Sequence, residues 1–208
     1  MNILKLSKDN REKLIEEAIT VLNKGGIVAY PTETFYGLGV RFDRNESLKR
    51  LYDIKKRPLE KAMPIIIGDI SQLNLIVDNL WLERMPDEVE RLIRSYWPGP
   101  LTILMPARSG LSEFLIGNSK TVAVRIPGES FALHLANMAG FPLTSTSANI
   151  SGMPPAEEAK RVIEYFDYSL DLLIDGGKTP GGLPSTIIDV TEGLRIVRKG
   201  ILRLEIDD

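Results

Sequence analysis

The sequence contains no cysteine and a single histidine, His134, among its 208 residues. That excludes disulfides, thiolate nucleophiles and any zinc centre built from Cys and His, and with them redox chemistry by the protein's own side chains. Long apolar runs are missing too. No uninterrupted stretch nears the roughly 18 residues of a membrane span, and the N-terminal MNILKLSKDNREK lacks the apolar centre of a signal peptide. The expected location is the cytoplasm. Excess charge of either sign is also absent: formal net charge is −2 and the pI about 5.6. The chain as a whole therefore gives no reason to expect tight, sequence-independent binding to nucleic acid, although a local basic patch remains compatible with it.

What is present belongs to an ordinary globular protein, with 43% hydrophobic, 26% charged and 7% aromatic residues, neither disordered nor fibrous in composition. Its length suits one α/β domain that buries roughly 70% of its unfolded surface. Ser7 or Asp9 can cap a helix reaching about Lys24, because Leu14, Ile15, Ala18, Ile19 and Leu22 recur at helical spacing and Gly25-Gly26 supplies the stop. IVAY (27–30) reads as a buried strand, and a helix from about Asn45 must end near Arg57, since Pro58 disfavours its continuation. PIIIG (64–68), LTILM (101–105) and TVAVRIP (121–127) read as strands, with a short helical piece near 71–77 and a helix from Pro86 between them. A helix over 130–139, the strand PLTSTS (142–147), a helix over 157–166 and the strands DLLID, STIIDV and LRIVR follow. Helices and strands mix without strict βα alternation, which predicts an α/β fold on a mixed, partly antiparallel sheet. There is no internal repeat, low-complexity tract or charge block.

Several motifs lead nowhere. Gly176-Gly177-Lys178-Thr179 imitates a phosphate-binding P-loop, but Leu172 stands where its first glycine belongs and Pro180 follows, so a turn is expected. Gly37-Leu38-Gly39 lacks the third glycine of a dinucleotide fingerprint, Phe42 being there instead. His134 lies among apolar neighbours in FALHLANMA and reads as a packed or partly exposed helix residue; with no nucleophile elbow in the chain, a Ser-His-Asp hydrolase is disfavoured. Trp97-Pro98-Gly99-Pro100 reads as a rigid packed corner.

Four polar features resist so plain a reading. Pro31-Thr32-Glu33-Thr34 leaves a buried strand with two hydroxyls and a carboxylate at a place where sheets host ligands, although by itself it could be a turn. Lys55-Lys56-Arg57 closes a helix, either as a solvated terminus or as an anion site. Thr144 to Asn149 sets hydroxyls and an amide straight after an apolar strand, which polar ligand contact would explain. Arg125 is an odd guest in a strand and needs a carboxylate or phosphate partner, from the protein or from a substrate.

Taken in order, PTETFYGLG, Lys55-x-Arg57-Pro58, WPGPLTIL, TVAVRIP, Ser147-x-Asn149, and Pro184 to Ile188 followed by Arg198 resemble the YrdC/TsaC family of threonylcarbamoyl-AMP synthases, over about residues 25 to 200. The resemblance implies a YrdC-like twisted α/β sheet with flanking helices around a large concave cavity. It also implies the short form of the family: one domain over 1–208 with no C-terminal accessory domain. The implied reaction is nucleotidyl transfer, in which L-threonine, bicarbonate and ATP yield threonylcarbamoyl-AMP and pyrophosphate. Mg²⁺ would come with ATP, held mainly by phosphates and with no protein ligand. The product would pass to a separate tRNA threonylcarbamoyl-transferase complex. By the same resemblance Thr32, Arg125, Ser145 and Ser185 correspond to threonine-binding positions. Lys55, Leu59, Thr121, Ser147, Pro155 and Arg198 correspond to ATP contacts, with Arg57 and Asn149 completing their pairs. Lys55 and Arg57 are the expected stabilisers of the phosphoryl transition state. Some relatives carry a histidine on the strand after the Lys-x-Arg block; PIIIG has none, so no such contact is expected.

Two rival functions follow from other features. A double-stranded-RNA module could use Lys49, Arg50, Lys55, Lys56, Arg57 and Lys61 as a basic surface, at least for weak binding, with steep salt dependence. A carbamoyl-adenylate-forming domain of the hydrogenase-maturation type is the other, disfavoured by the absence of zinc-binding cysteines and accessory domains.

Overall fold

A computed structural model of the protein describes residues 1–204. In chain order it runs β1 (Asn2–Lys5), α1 (Arg11–Asn23), β2 (Val28–Pro31), β3 (Tyr36–Gly39), α2 (Asn45–Lys55), β4 (Ile65–Ile66), α3 (Asn79–Leu82), α4 (Asp87–Tyr96), β5 (Leu101–Pro106) and α5 (Glu113–Ile116). Then come β6 (Thr121–Arg125), α6 (Phe131–Ala139), β7 (Leu143–Thr144), β8 (Thr146–Ser147), α7 (Ala159–Phe166), β9 (Leu172–Asp175), β10 (Thr186–Asp189) and β11 (Arg195–Arg198). The mixed α/β expectation holds, but with two sheets where one was expected. One has the order β1-β9-β2-β3-β8, the other β11-β10-β5-β6-β4-β7, and each combines parallel and antiparallel pairs.

PLTSTS is where the sheets meet. Read as one strand, it is two short ones: β7 pairs with β4 and β8 with β3, and Ser145 alone separates them. The reason lies in the backbone of β3. Past Gly39 it runs on beside β7, where Thr144 N donates to Val40 O at 2.9 Å and Val40 N donates to Thr144 Oγ1 at 3.0 Å. The chain thus leaves one sheet and enters the other within a single residue, and hydroxyls fall on both sides of the seam.

Alternation along β2 sorts the core. Ile27 and Ala29 face one hydrophobic cluster with Leu38, Leu48, Leu51 and Val124, while Val28 and Tyr30 face a second with Leu14, Leu22, Leu135 and Ala136. Helices α1 and α6 close that second face, as their apolar spacing predicts. Truncating a side chain as buried as Leu22 to alanine costs about 2–5 kcal/mol. The Tyr30 ring lies across β3, so Gly39 has a steric reason: a Cβ there would come within 2.9 Å of the ring and 3.0 Å of Thr144 O.

Neither Ser7 nor Asp9 caps α1. Asn10 stands at its start without a capping bond, and instead accepts from Ser7 N and donates to Lys5 O, which turns the chain out of β1. Helix α2 ends at Lys55, with Lys56 in the left-handed region and Pro58 just beyond. No helix among the described residues is long and apolar enough to cross a membrane.

Candidate functional site

Where the two sheets part, a pocket of about 180 Å³ opens. The β2–β3 turn forms one wall. Thr32 Oγ1 donates to Phe35 O at 2.7 Å and accepts from Thr34 N at 3.1 Å, a side-chain turn that holds both threonines at the opening. The seam supplies Ser145 and Ser147. From the second sheet come Arg125 at the end of β6, Thr102 on β5, and Ser185 with Arg198 from the β10–β11 ribbon. Arg57, just past α2, completes the lining cations.

Each guanidinium is held from behind. Arg125 Nη1 ion-pairs with Glu33 Oε1; both side chains are largely buried, at 10% and 16% exposure. Glu33 Oε2 is buried and has no hydrogen-bond partner among the described residues. Arg198 donates from Nε and Nη2 to Ser185 O at 3.1 and 2.8 Å, and from Nη2 to Ser185 Oγ, which also meets Thr102 Oγ1 at 2.9 Å. Burial, and next to it the like charge of Arg125, lowers the pKa of Arg198, so these two cations feel each other across the pocket. Arg57 donates to Lys61 O and Ala62 O. Three guanidiniums and several hydroxyls, with no carboxylate among the lining residues, make a receptor for carboxylate or phosphate.

Thr32, Arg125, Ser145 and Ser185 thus meet in one place, together with Arg57, Ser147 and Arg198. Lys55, Leu59, Thr121, Asn149 and Pro155 do not line the pocket. Lys55 is only 1% exposed, and its Nζ donates to Ser147 O at 2.5 Å and Asn149 O at 2.7 Å. Burial, helped by the neighbouring charge of Arg57, pulls its pKa down to about 7. The lysine expected to face a phosphate therefore faces two loop carbonyls. Asn149 is spent in the same loop, accepting from Ser147 Oγ and donating to Ile150 O and Met153 O. Leu59 is 54% exposed on the loop after Pro58. Thr121 begins the strand that Arg125 ends, about 13 Å away at strand rise, and pairs with Ser119. Pro155 lies half-buried in the loop before α7.

Thr34, one of the two hydroxyls noted in the Pro31-Thr32-Glu33-Thr34 stretch, lines the pocket as well, whereas Thr102 and Tyr36 line it without having been singled out in the sequence. Thr102 carried a signal of the same kind as Arg125: a hydroxyl inside the apolar strand LTIL, here 2% exposed. At this pocket the large cavity implied by the resemblance is not shown among the described residues, its volume of about 180 Å³ falling below the range of roughly 300–1,000 Å³ typical of sites for drug-sized ligands. Nor do the six basic residues form a strip: Lys55 is buried, Arg50 pairs with Asp171, and Arg57 turns to the pocket. Three plainer expectations hold. His134 is a partly exposed helix residue bonded to Glu129 and Arg11, Trp97 packs with its Nε1 donating to Leu101 O, and Gly177 is a left-handed turn residue.

Comparison with known proteins points in one direction. The family model Sua5_yciO_yrdC, described as "Telomere recombination", matches residues 20–200. The threonylcarbamoyl-AMP synthase of Pyrococcus abyssi (strain GE5 / Orsay) is 37% identical over 200 residues, covering 94% of this chain and 57% of that protein. The protein of the same name from Bacillus subtilis (strain 168) is 32% identical over 196 residues, covering 93% and 55%. The crystal structure of P. abyssi Sua5 complexed with L-threonine superposes with a TM-score of 0.87 at 34% identity, over 96% of this chain and 58% of that one. The chain spans a little over half the length of the curated relatives it matches.

Proposed function

Because the chain belongs to the Sua5/YciO/YrdC family, we propose that it forms threonylcarbamoyl-AMP and pyrophosphate from L-threonine, bicarbonate and ATP. The observation that carries this is the meeting of Arg125 and the hydroxyls of Thr32, Ser145 and Ser185 with two further guanidiniums, Arg57 and Arg198, around one pocket. An amino acid suits its volume. Arg125 offers its fork to the carboxylate while the hydroxyls orient the amine and side chain. ATP is placed on the open side, its phosphates toward Arg57, Arg198 and Ser147, with Leu59, Thr121, Asn149 and Pro155 as its outer contacts.

The chemistry asks mainly for proximity and charge. The amine nitrogen bonds to the carbon of bicarbonate and water leaves. A carbamate oxygen then attacks the α-phosphorus as the bond to pyrophosphate breaks, so the step is a nucleotidyl transfer. Arg57 and Arg198 are the cations at hand for the charge that develops. Lys55 acts from behind by fixing the carbonyls of Ser147 and Asn149, and reaches a phosphate only by leaving them. Guanidiniums and hydroxyls do not build a Mg²⁺ cage, so the ion belongs on the phosphates of incoming ATP, with water completing its shell.

The product would go to a tRNA threonylcarbamoyl-transferase complex, and a reaction that draws on ATP and serves tRNA suits the cytoplasm. The names of the curated relatives favour this reading over an RNA module. Pyrophosphate release from ATP tests it: release should require threonine and bicarbonate together, and release that ignores either one refutes the proposal.

A further inference from the structure

Glu33 lies between Thr32 and Thr34, both at the pocket, and behind Arg125, whose Nη1 it holds through Oε1. Its Oε2 is buried without a donor among the described residues. Leaving a buried carboxylate oxygen unmatched burdens the ligand-free protein, and a ligand that brings a donor relieves it. The lining arginines can only donate hydrogen bonds, and the lining hydroxyls, which can accept, carry no counter-charge. An ammonium group entering here needs a negative partner beyond those neutral hydroxyls. Among the described residues, Glu33 is the carboxylate that ion-pairs with a lining side chain.

We infer that Glu33 accepts the ammonium group of the bound amino acid, and that the zwitterion enters in series between Arg125 and Glu33. The inference rests on the amino-acid reading of the pocket given above. The incoming carboxylate takes the guanidinium and evicts Glu33 from Nη1. The ammonium, three bonds along the same ligand and carrying three N–H donors, then satisfies the freed carboxylate. Positive and negative groups alternate through the assembly, so no charge is left unmatched. An acid that lacks the amine performs only the eviction, and leaves Glu33 with both oxygens short of donors. Selection for an α-amino acid over its amine-free analogue is thereby built into the ion pair.

Calorimetric titration with L-threonine and with 3-hydroxybutyrate, the same molecule without its amine, tests this. Wild-type protein should prefer threonine by roughly 100-fold or more, because a site arranged around a polar group rejects the analogue that lacks it. In Glu33→Gln the preference should fall to about 10-fold or less, and Glu33→Asp should keep most of it. If both ligands weaken together in Glu33→Gln with their ratio intact, Glu33 merely positions Arg125 and the inference fails. If both tighten, Glu33 merely competes for Arg125, and the inference fails again. Should Glu33→Gln not fold, the wild-type ratio decides, a value below about 10-fold overturning the proposal. Wild-type protein that binds no threonine overturns the proposed function as well, whereas binding with an unchanged ratio overturns this inference alone.

Discussion

Arg125 and Lys55 are both buried cations beside the same hydroxyl-rich seam, but the fold treats them differently. Arg125 is matched by a full carboxylate, Glu33, and lines the pocket. Lys55 is matched by two neutral carbonyls and does not. The chemistry of the two groups accounts for the difference. A guanidinium cannot shed its proton, so burying one requires a counter-charge; an ammonium can, and the Lys55 pKa has moved down to about 7. Permanent charge in the pocket therefore resides in its arginines. The charge on Lys55 is conditional on pH, and an arriving phosphate would restore it.

The largest way to break this comparison is to remove one member of the charged pair. Arg125→Met leaves Glu33 buried and uncompensated, and should lower the unfolding free energy by about 3–5 kcal/mol and abolish threonine-dependent turnover. Replacing Glu33 by methionine in the same chain should recover most of the stability and none of the activity, because two apolar groups of similar size tolerate burial. Urea titration of the two variants would show it, and equal stabilities would mean the pair is not buried in solution.

Lys55 should show itself through pH. Its folded pKa lies below the ordinary lysine value of 10.5, so between about pH 7 and 10.5 the unfolded chain binds the extra proton and folded stability rises with pH. The slope is at most about 1.4 kcal/mol per pH unit. Tyr30 and Tyr36 run the other way. Burial raises each to about 12, so their contribution is present below pH 10 and lost between 10 and 12, and the measurement should stop at pH 10. Unfolding free energies from pH 7 to 10 should climb in the wild type and stay flat in Lys55→Met. A flat wild-type profile would erase the distinction between the two cations.

Much of this arrangement was legible in the residue order, and the part that was not has a common cause. Most element types follow from periodicity and from Gly and Pro stops, β3 and α5 being among the exceptions, and the out-of-place Arg125 points to the pocket. What escaped were features set by non-local pairing. The split of PLTSTS at Ser145 depends on Val40 and Ile66, far away in sequence. The inward turn of Lys55 depends on carbonyls more than ninety residues on. Thr102 reaches the pocket because β5 pairs with β10 and brings it to Ser185. Strand β1 was missed because among the described residues it pairs only with β9, at the sheet's edge, and keeps most of its side chains in water, so no apolar alternation marks it.

Smaller effects sharpen the comparison by moving outward from the buried pair. Thr102→Val removes the hydroxyl that meets Ser185 Oγ and should cost about 1 kcal/mol, read as a roughly fivefold rise in KM for threonine with the KM for ATP unchanged. His134 and Glu129 stand at the far extreme, paired at 2.7 Å but 32% and 74% exposed. Water already solvates both groups, so His134→Ala should shift stability by no more than about 0.5 kcal/mol. Pyrophosphate release should not change at all, because a site that works by fixed guanidinium charge needs no imidazole to shuttle protons. Loss of turnover in His134→Ala with an unaltered melting curve would show that proton transfer is limiting after all, and the contrast between permanent and conditional charge would then be the wrong axis for this pocket.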